Sequence, residues 1–443
     1  MKLFGSSGIR RVVDREFLQL VFDIGLATGS SYRSLLVGND TRTSSEAVRY
    51  ALLSGLLSGG AEVACAGVIP TPTLAYAARH FEAGAMITAS HNPPQYNGVK
   101  LVNPDGSAFD PAQRSQIEQL VAEGSAQTAQ WEQIKQCTDY VEAIEEHVER
   151  IRADFPGRIG VKVVVDCVCG AASEVTPILL GRLGCEVIPL NCSPSGFFPR
   201  EIEPIPENLD ELMQAVKSEN ADLGIAHDGD GDRIAVIDDK GRFVLADRLM
   251  ALFARELGAR KVVTTVDASM LIDELGFEVM RTKVGDAYVS DELRRNPRAD
   301  SLNEFGGESS GCFIFPHISL CPDAIYGAAR VARMASEQPI STLVEQLPSY
   351  PVLRGGIPGE PAIMEDVERR LKNESASGGG TLEAIDGLRL AFSDGWLLIR
   401  PSGTEPKIRI TAEATSEHRA RELYELGTRT IEECLLAKER ATG

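Results

Sequence analysis

Residues 161–187, VKVVVDCVCGAASEVTPILLGRLGCEV, contain one complete structural unit. Val161–Cys167 is a β-branched run of strand length, and Ser173–Leu183 carries apolar residues at helical spacing. Gly184-Cys185-Glu186-Val187 then ends the helix and opens a second strand. The same order recurs on either side. Ser34–Asp40 and a following helix lead to Gly60-Ala61-Glu62-Val63, and Lys261–Ala268 with Ser269–Leu275 leads to Gly276-Phe277-Glu278-Val279. One such tetrapeptide would mean little, since glycine commonly closes helices; three in the same context predict three related α/β domains. Strands alternating with helices in this way make largely parallel sheets with helices on their faces, and place function in the loops at the strand carboxyl ends.

The rest of the chain is divided around these units. Residues 138–153 read as a helix stopped by Pro156-Gly157, which puts the first boundary near 155, and a second boundary falls near 247. At 347–361, LPSYPVLRGGIPGEP, proline and glycine replace periodicity. Beyond it lie three strand candidates, 387–393, 395–402 and 407–414, then a helix from about 416 to 436. The predicted architecture is three mixed α/β domains at 1–155, 156–247 and 248–350 with a smaller α+β domain at 351–443, and a central cleft where the four meet. A chain of 443 residues is too long for one core, and 43% hydrophobic with 25% charged residues is ordinary for a folding protein.

A formal charge of −19 argues against nucleic acid or an anionic membrane as partner, because both need basic patches. Residues 50–78 carry one charge, Glu62, but Gly59, Gly60, Pro70 and Pro72 break the run into helix, turn and strand rather than a membrane span. The amino-terminal residues lack a signal-peptide core, and the nine cysteines have no framework spacing, so the expectation is a cytoplasmic protein with reduced thiols. Whether it is a monomer or a homodimer is not readable from the sequence.

Four segments carry chemistry. In Ala89-Ser90-His91-Asn92-Pro93-Pro94 a serine leaves a buried strand into a proline-stiffened loop, and Asn97-Gly98 is placed to turn the chain back to Lys100. A serine nucleophile needs a base or a metal, and a phosphoserine needs compensating charge; His91 and Lys100 could supply protons and charge. In Asp228-Gly229-Asp230-Gly231-Asp232-Arg233 three carboxylates at alternate positions can converge on one hard cation, for which Mg²⁺ is suited. An EF-hand Ca²⁺ loop is disfavoured, because Arg233 takes the position that needs glycine and strands rather than helices flank the segment. Gly306-Gly307-Glu308-Ser309-Ser310-Gly311 offers a carboxylate and hydroxyls to sugar hydroxyls. Arg400-Pro401-Ser402-Gly403-Thr404-Glu405-Pro406-Lys407 offers a guanidinium fork, hydroxyls and backbone N–H groups to a phosphate. Taken singly, these segments also read as a polar turn, an acidic turn, a surface turn and a charged hairpin. Together they describe phosphoryl transfer on a sugar phosphate, with one segment in each predicted domain.

These motifs, in this order, resemble the α-D-phosphohexomutases over essentially the full length. The resemblance implies that Ser90 is the phosphorylated residue and that Asp228, Asp230 and Asp232 hold Mg²⁺ together with a Ser90 phosphate oxygen. It assigns His91 and Lys100 to proton transfer and charge stabilisation, and makes Arg10 and Arg233 active-site arginines. Glu308 and Ser310 would contact the sugar, Lys283, Gly285 and Asp286 would help recognise the substrate, and Arg400, Ser402, Gly403 and Thr404 would bind its phosphate. The partners implied are a sugar monophosphate and a hexose 1,6-bisphosphate intermediate, with glucosamine phosphate as the favoured sugar and mannose or glucose phosphate as the alternative. A metal-dependent sugar phosphatase is a rival enzyme reading. A nucleotide-binding Rossmann protein is not supported, since the chain has neither G-x-G-x-x-G nor a P-loop.

The sequence departs from the family pattern at three places. Ser6 stands for threonine and Arg11 for glycine in the opening Phe4–Arg11. Cys312 stands where many relatives have histidine, which leaves the sugar contacts open, and Cys167-Val168-Cys169-Gly170 replaces a more usual Asn-Gly turn.

Overall fold

The computed structural model describes residues 3–5, 8–295, 303–402 and 406–442. The chain gathers into two compact units, Met1–Ala259 with Gly285–Glu345, and Arg260–Val284 with Gln346–Gly443.

In the first unit a six-stranded sheet runs in the order Ile9–Val12, Tyr96–Val102, Ala83–Ile87, Ser34–Asn39, Glu62–Val68, Thr138–Asp139. Ser34–Asn39 is parallel to both of its neighbours, while Tyr96–Val102 is antiparallel to Ala83–Ile87 and to Ile9–Val12. Leu35, Leu36 and Val37 are wholly buried, as expected for a strand covered on both faces. The helix Arg15–Ser31 begins at Asp14, whose carboxylate accepts the Phe17 N–H at 2.7 Å. It packs on Ser45–Ser58 at backbone contact: a Cβ on Gly55 would lie 2.1 Å from the Phe22 carbonyl. The run at 50–78, with its single charge at Glu62, is therefore the end of a glycine-bearing helix, the strand Glu62–Val68 and the short helix Thr71–Ala77. Among the described residues no helix is long and apolar enough to cross a membrane.

A second sheet has the order Phe243–Val244, Ile234–Ile237, Leu223–His227, Lys162–Asp166, Glu186–Leu190, with its last three strands parallel. The unit is completed by the antiparallel pair Glu304–Gly307 and Phe313–Ile314, packed with Phe253, Phe315 and Tyr326.

The second unit contains the parallel pair Lys261–Thr265 and Glu278–Thr282. It also contains an antiparallel sheet in the order Val352–Pro358, Lys407–Ala414, Gly395–Pro401, Leu388–Phe392, Thr381–Glu383. One face of that sheet buries Leu397, Ile399, Ile408 and Ile410 with Val367 and Leu371 of the helix Met364–Gly378 and Leu423 and Ile431 of the helix Glu417–Thr442. The other face sets Trp396 and Leu398 against Val266 and Met270.

Several local expectations change. Residues 138–153 hold a short strand at Thr138–Asp139 before the helix Ala143–Arg152, because Thr138 pairs with Ala64 at the sheet edge. The helix expected at 173–183 is a 3₁₀ turn at Ala171–Glu174 followed by Thr176–Arg182, and 269–275 is a 3₁₀ segment, Met270–Leu275. The proline- and glycine-rich 347–361 is in part an edge strand, Val352–Pro358. An edge tolerates Pro358, which has no N–H to give to a ladder. Asn97-Gly98 lies inside Tyr96–Val102 rather than at a turn; the chain reverses at Asn92–Gln95.

Candidate active site

The first two chemical segments are placed by buried strands: Ser90 and His91 follow Ala83–Ile87, Asp228–Arg233 follow Leu223–His227, and Lys100 lies within Tyr96–Val102. Ala83–Ile87 leads into Ser90, which has φ +50°. A non-glycine residue in this left-handed region costs about 1–2 kcal/mol, so the surroundings must impose it. The conformation aims Oγ at the loop after Leu223–His227, where it donates to Asp228 Oδ2 at 2.7 Å. His91 Nδ1 lies 3.3 Å from the same Oγ. Burial first, then the neighbouring Arg233 and Arg10 charges, lower the His91 pKa to about 3, which leaves the imidazole neutral near pH 7.

Asp228, Asp230 and Asp232 are buried and each presents a ligand oxygen, all within 4.8 Å of one another. Gly229 and Gly231 make the curl possible: a Cβ on Gly229 would strike the Ser90 carbonyl at 2.7 Å, and Gly231 has φ +71°. Lys100, on Tyr96–Val102, reaches Asp230 Oδ2 at 2.7 Å and Asp232 Oδ2 at 2.6 Å. Burial opposes its charge, but the two carboxylates outweigh that and hold its pKa above the ordinary value. Burial raises Asp228 strongly, and Asp230 and Asp232 push it further. For Asp230 burial acts upward too, but Lys100 prevails and its pKa is lowered. Asp230 Oδ1 and Asp232 Oδ1 are buried without a hydrogen-bond partner. Two orphaned anionic oxygens beside a third carboxylate suit a hard divalent cation, which takes oxygen ligands.

Arg10 donates to Asn92 Oδ1 at 3.1 Å, and Arg233 pairs with Glu203 at 2.9 Å while its Nε stays buried and unbonded. Arg233 also bridges to Cys312, which joins the acidic loop to the Glu304–Gly311 region. There Glu308 accepts from the Gly285 N–H at 2.6 Å and from Ser310 Oγ at 2.9 Å. Its pKa is raised to about 7, first by burial and then by Asp286. Cys312 is buried, and burial raises its thiol well above the usual range.

Lys283, Arg400 and Ser402 belong to the second unit. Arg400 Nη1 pairs with Asp386 Oδ2 at 2.8 Å, and that oxygen also accepts the Val284 N–H at 3.2 Å, which ties the segment after Lys283 to the arginine loop. Ser402 Oγ is buried and unbonded. A cavity of about 350 Å³ is lined by Arg354, Arg400, Lys407 and Arg409 with Asp267, an anion-attracting surface broader than the sequence motif. Gly403 and Thr404 lie outside the described residues, as does Ser6.

The structure thus brings Ser90, His91, Lys100, Arg10, Arg233 and the three aspartates together, groups Gly285, Asp286, Glu308 and Ser310, and groups Lys283 with Arg400 and Ser402. Sequence reading missed Thr71, whose hydroxyl donates to Asp230 Oδ2 at 2.5 Å. It also missed Asp40 and Arg42, although both lie within three residues of the carboxyl end of the strand Ser34–Asn39, where a functional loop is expected. The turn at 167–170 holds Val168 and Cys169 at φ +48° and +55°, the left-handed shape an Asn-Gly pair adopts readily.

Four family models match the chain in order: phosphoglucomutase/phosphomannomutase alpha/beta/alpha domain I at residues 1–128, domain II at 138–241, domain III at 245–350, and the C-terminal domain at 359–425. A probable phosphoglucosamine mutase of Methanocella arvoryzae is 46% identical over 440 residues, covering 98% of this chain and 99% of the relative. The phosphoglucosamine mutase of Methanocaldococcus jannaschii is 39% identical over 456 residues, covering 98% and 99%. Among solved structures, a phosphoglucomutase/phosphomannomutase family protein of Burkholderia thailandensis matches with a TM-score of 0.87 at 27% identity, covering 98% of this chain and 97% of that one.

Proposed function

The chain belongs to the phosphoglucomutase/phosphomannomutase family, and from that premise we propose that it interconverts glucosamine 6-phosphate and glucosamine 1-phosphate through phosphorylated Ser90. Family membership makes it a phosphohexomutase, an isomerase. The sugar is supported by full-length relatives named phosphoglucosamine mutase. The observation that carries the mechanism is the 2.7 Å contact between Ser90 Oγ and Asp228 in a loop of three converging carboxylates.

In the proposed reaction the phosphoryl group on Ser90 passes to the free hydroxyl of the sugar monophosphate, giving a 1,6-bisphosphate. The P–O bond to Ser90 breaks as the bond to the sugar oxygen forms; the sugar hydroxyl gives up its proton, and Ser90 Oγ takes one up as it leaves, so the step balances. His91, whose Nδ1 lies 3.3 Å from Ser90 Oγ, is placed to relay the proton. After the intermediate turns around, its other phosphate returns to Ser90 and the product leaves. Lys100, Arg10 and Arg233 supply positive charge around the transferring group. Asp228, Asp230 and Asp232 with an oxygen of phosphorylated Ser90 would hold Mg²⁺, which when bound neutralises charge on the phosphoryl oxygens. Glu308 and Ser310 are suited to the sugar hydroxyls. Arg400 and Ser402 suit the phosphate that is not being transferred; the family resemblance assigns Gly403 and Thr404 to the same phosphate, and Lys283, Gly285 and Asp286 to recognition of the substrate. We also propose the domain division 1–155, 156–247, 248–350 and 351–443.

The test is turnover of glucosamine, mannose and glucose 6-phosphates side by side, with Mg²⁺ and a trace of hexose 1,6-bisphosphate. Preference for the glucosamine substrate is expected. Preference for mannose or glucose phosphate would reassign the sugar, and release of inorganic phosphate in step with substrate loss would replace the mutase with a hydrolase.

A further inference from the structure

We propose that Arg42, acting with Asp40 and Thr88, is the positioning unit that holds the phosphoryl-accepting serine in its reactive backbone shape; this rests on the reading that Ser90 carries the phosphoryl group. The side chain of Arg42 is buried, and every N–H of its guanidinium is used. Nη2 donates to the carbonyls of Ser90 and Asn92, both at 2.7 Å. Nη1 donates to those of Pro93 at 2.8 Å and Tyr96 at 3.0 Å, and Nε donates to Asp40 Oδ2 at 3.0 Å. Four backbone carbonyls spanning the whole turn from Ser90 to the start of the next strand therefore converge on one planar cation.

The other side of the serine peptide ends on the same unit. The Ser90 N–H donates to Thr88 Oγ1 at 2.8 Å, and Thr88 Oγ1 donates to Asp40 Oδ2 at 2.7 Å. Asp40 also accepts the Ser45 hydroxyl at 2.7 Å and the Arg42 N–H at 3.0 Å. Both the N–H and the C=O of Ser90 are thus fixed by an Asp–Arg pair, and the carbonyl is further confined by Gly229, where a Cβ would come within 2.7 Å of it. This explains how a serine keeps φ +50°. The conformation decides where Oγ points, and so decides the contact with Asp228. Among the described residues, Arg42 hydrogen-bonds to neither the Ser90 hydroxyl nor the acidic triad, so it acts through the loop.

A lysine keeps the charge at position 42 but has three donors radiating from one point and cannot serve a planar set of five acceptor directions. Thr88→Val keeps the shape of the side chain and removes the acceptor for the Ser90 N–H. The experiment measures steady-state kinetics with glucosamine phosphate, single-turnover transfer from ³²P-labelled Ser90, and thermal unfolding, for the full-length wild type, Arg42→Lys and Thr88→Val. For Arg42→Lys the expected result is a fall in kcat of about 100-fold, the size associated with ångström-scale misplacement of a reacting group, with KM within threefold. Single-turnover transfer should slow by the same factor. Thr88→Val should lose about tenfold in the same two readouts. In Arg42→Ala, millimolar guanidinium should return part of the rate.

Arg42→Lys that folds and keeps kcat within twofold overturns the inference, and so does an unfolded Arg42→Lys alongside a folded Thr88→Val of wild-type rate. A loss confined to KM also overturns it. Wild-type protein with no mutase turnover would overturn the functional reading together with this one, whereas wild-type turnover with indifferent variants would overturn this one alone.

Discussion

Replacing Lys100 by methionine would remove the one lysine that compensates two of the three buried aspartates. Its Nζ lies 2.7 and 2.6 Å from Asp230 and Asp232, and the three side chains are 9, 0 and 7% exposed, so solvent does little of the compensating. Even at an effective dielectric constant of about 20, one unit-charge pair at ~4 Å is worth about 4 kcal/mol before the cost of dehydrating the ions. Removing one member of a buried pair costs about 3–5 kcal/mol, mostly because a charge is left behind unmatched. Here two carboxylates lose the same partner, while methionine keeps the apolar stem. The expected loss of stability at pH 8 in EDTA is therefore toward the upper end of that range.

A divalent cation should restore more stability to the variant than it adds to the wild type. Ligand at 100 times its dissociation constant stabilises by about 2.7 kcal/mol, and each tenfold gain in affinity adds about 1.4 kcal/mol. Differential scanning calorimetry of both proteins in EDTA and over a series of Mg²⁺ concentrations measures both effects. Coincident transitions in EDTA, or an Mg²⁺ response no larger in the variant, would refute the electrostatic account of the site.

Three further outcomes are expected. Ser90→Ala should abolish detectable mutase turnover while its circular dichroism and unfolding transition stay close to wild type, since one loop hydroxyl contributes little to stability; retained activity would remove Ser90 from the mechanism. Glu308 has a folded pKa raised to about 7, so its contribution to stability is full below pH ~4.5 and is lost as pH rises through about 7. Denaturant unfolding at pH 5 and pH 8 should therefore show Glu308→Gln gaining on the wild type at the higher pH, by at most about 3 kcal/mol, and parallel pH profiles would contradict the shift. Arg400→Glu should raise KM for the sugar phosphate at least about tenfold with a smaller effect on kcat, because a repelling charge replaces the guanidinium fork proposed to bind the phosphate; unchanged KM would move the phosphate elsewhere.

The chemistry in this chain was most legible where it is local. Asp228-Gly229-Asp230-Gly231-Asp232 places three carboxylates that could hold a cation within five residues, and the strands on either side, Leu223–His227 and Ile234–Ile237, are equally plain in the hydrophobic pattern. The strands that open the three repeated units, Ser34–Asn39, Lys162–Asp166 and Lys261–Thr265, were readable for the same reason. Val352–Pro358 was hidden because an edge strand can carry the glycines and proline that usually mark a linker, and its pairing with Lys407–Ala414 is a long-range event. Residues 270–275 kept a helical pattern but tightened to 3₁₀ geometry, a difference that apolar spacing over so short a segment cannot register.

By itself, then, the sequence determined which residues are candidates for the chemistry and the order of the elements that present them, because periodicity and side-chain type act over a few residues. Only the tertiary structure decided that Lys100 meets Asp230 and Asp232, 130 and 132 residues away, and that Arg42 closes on the serine loop. The physical reason is the same in both cases. Lys100 is one of many lysines until the sheet selects its partners, and the acceptors of Arg42 are backbone carbonyls, which every residue possesses and no sequence pattern distinguishes.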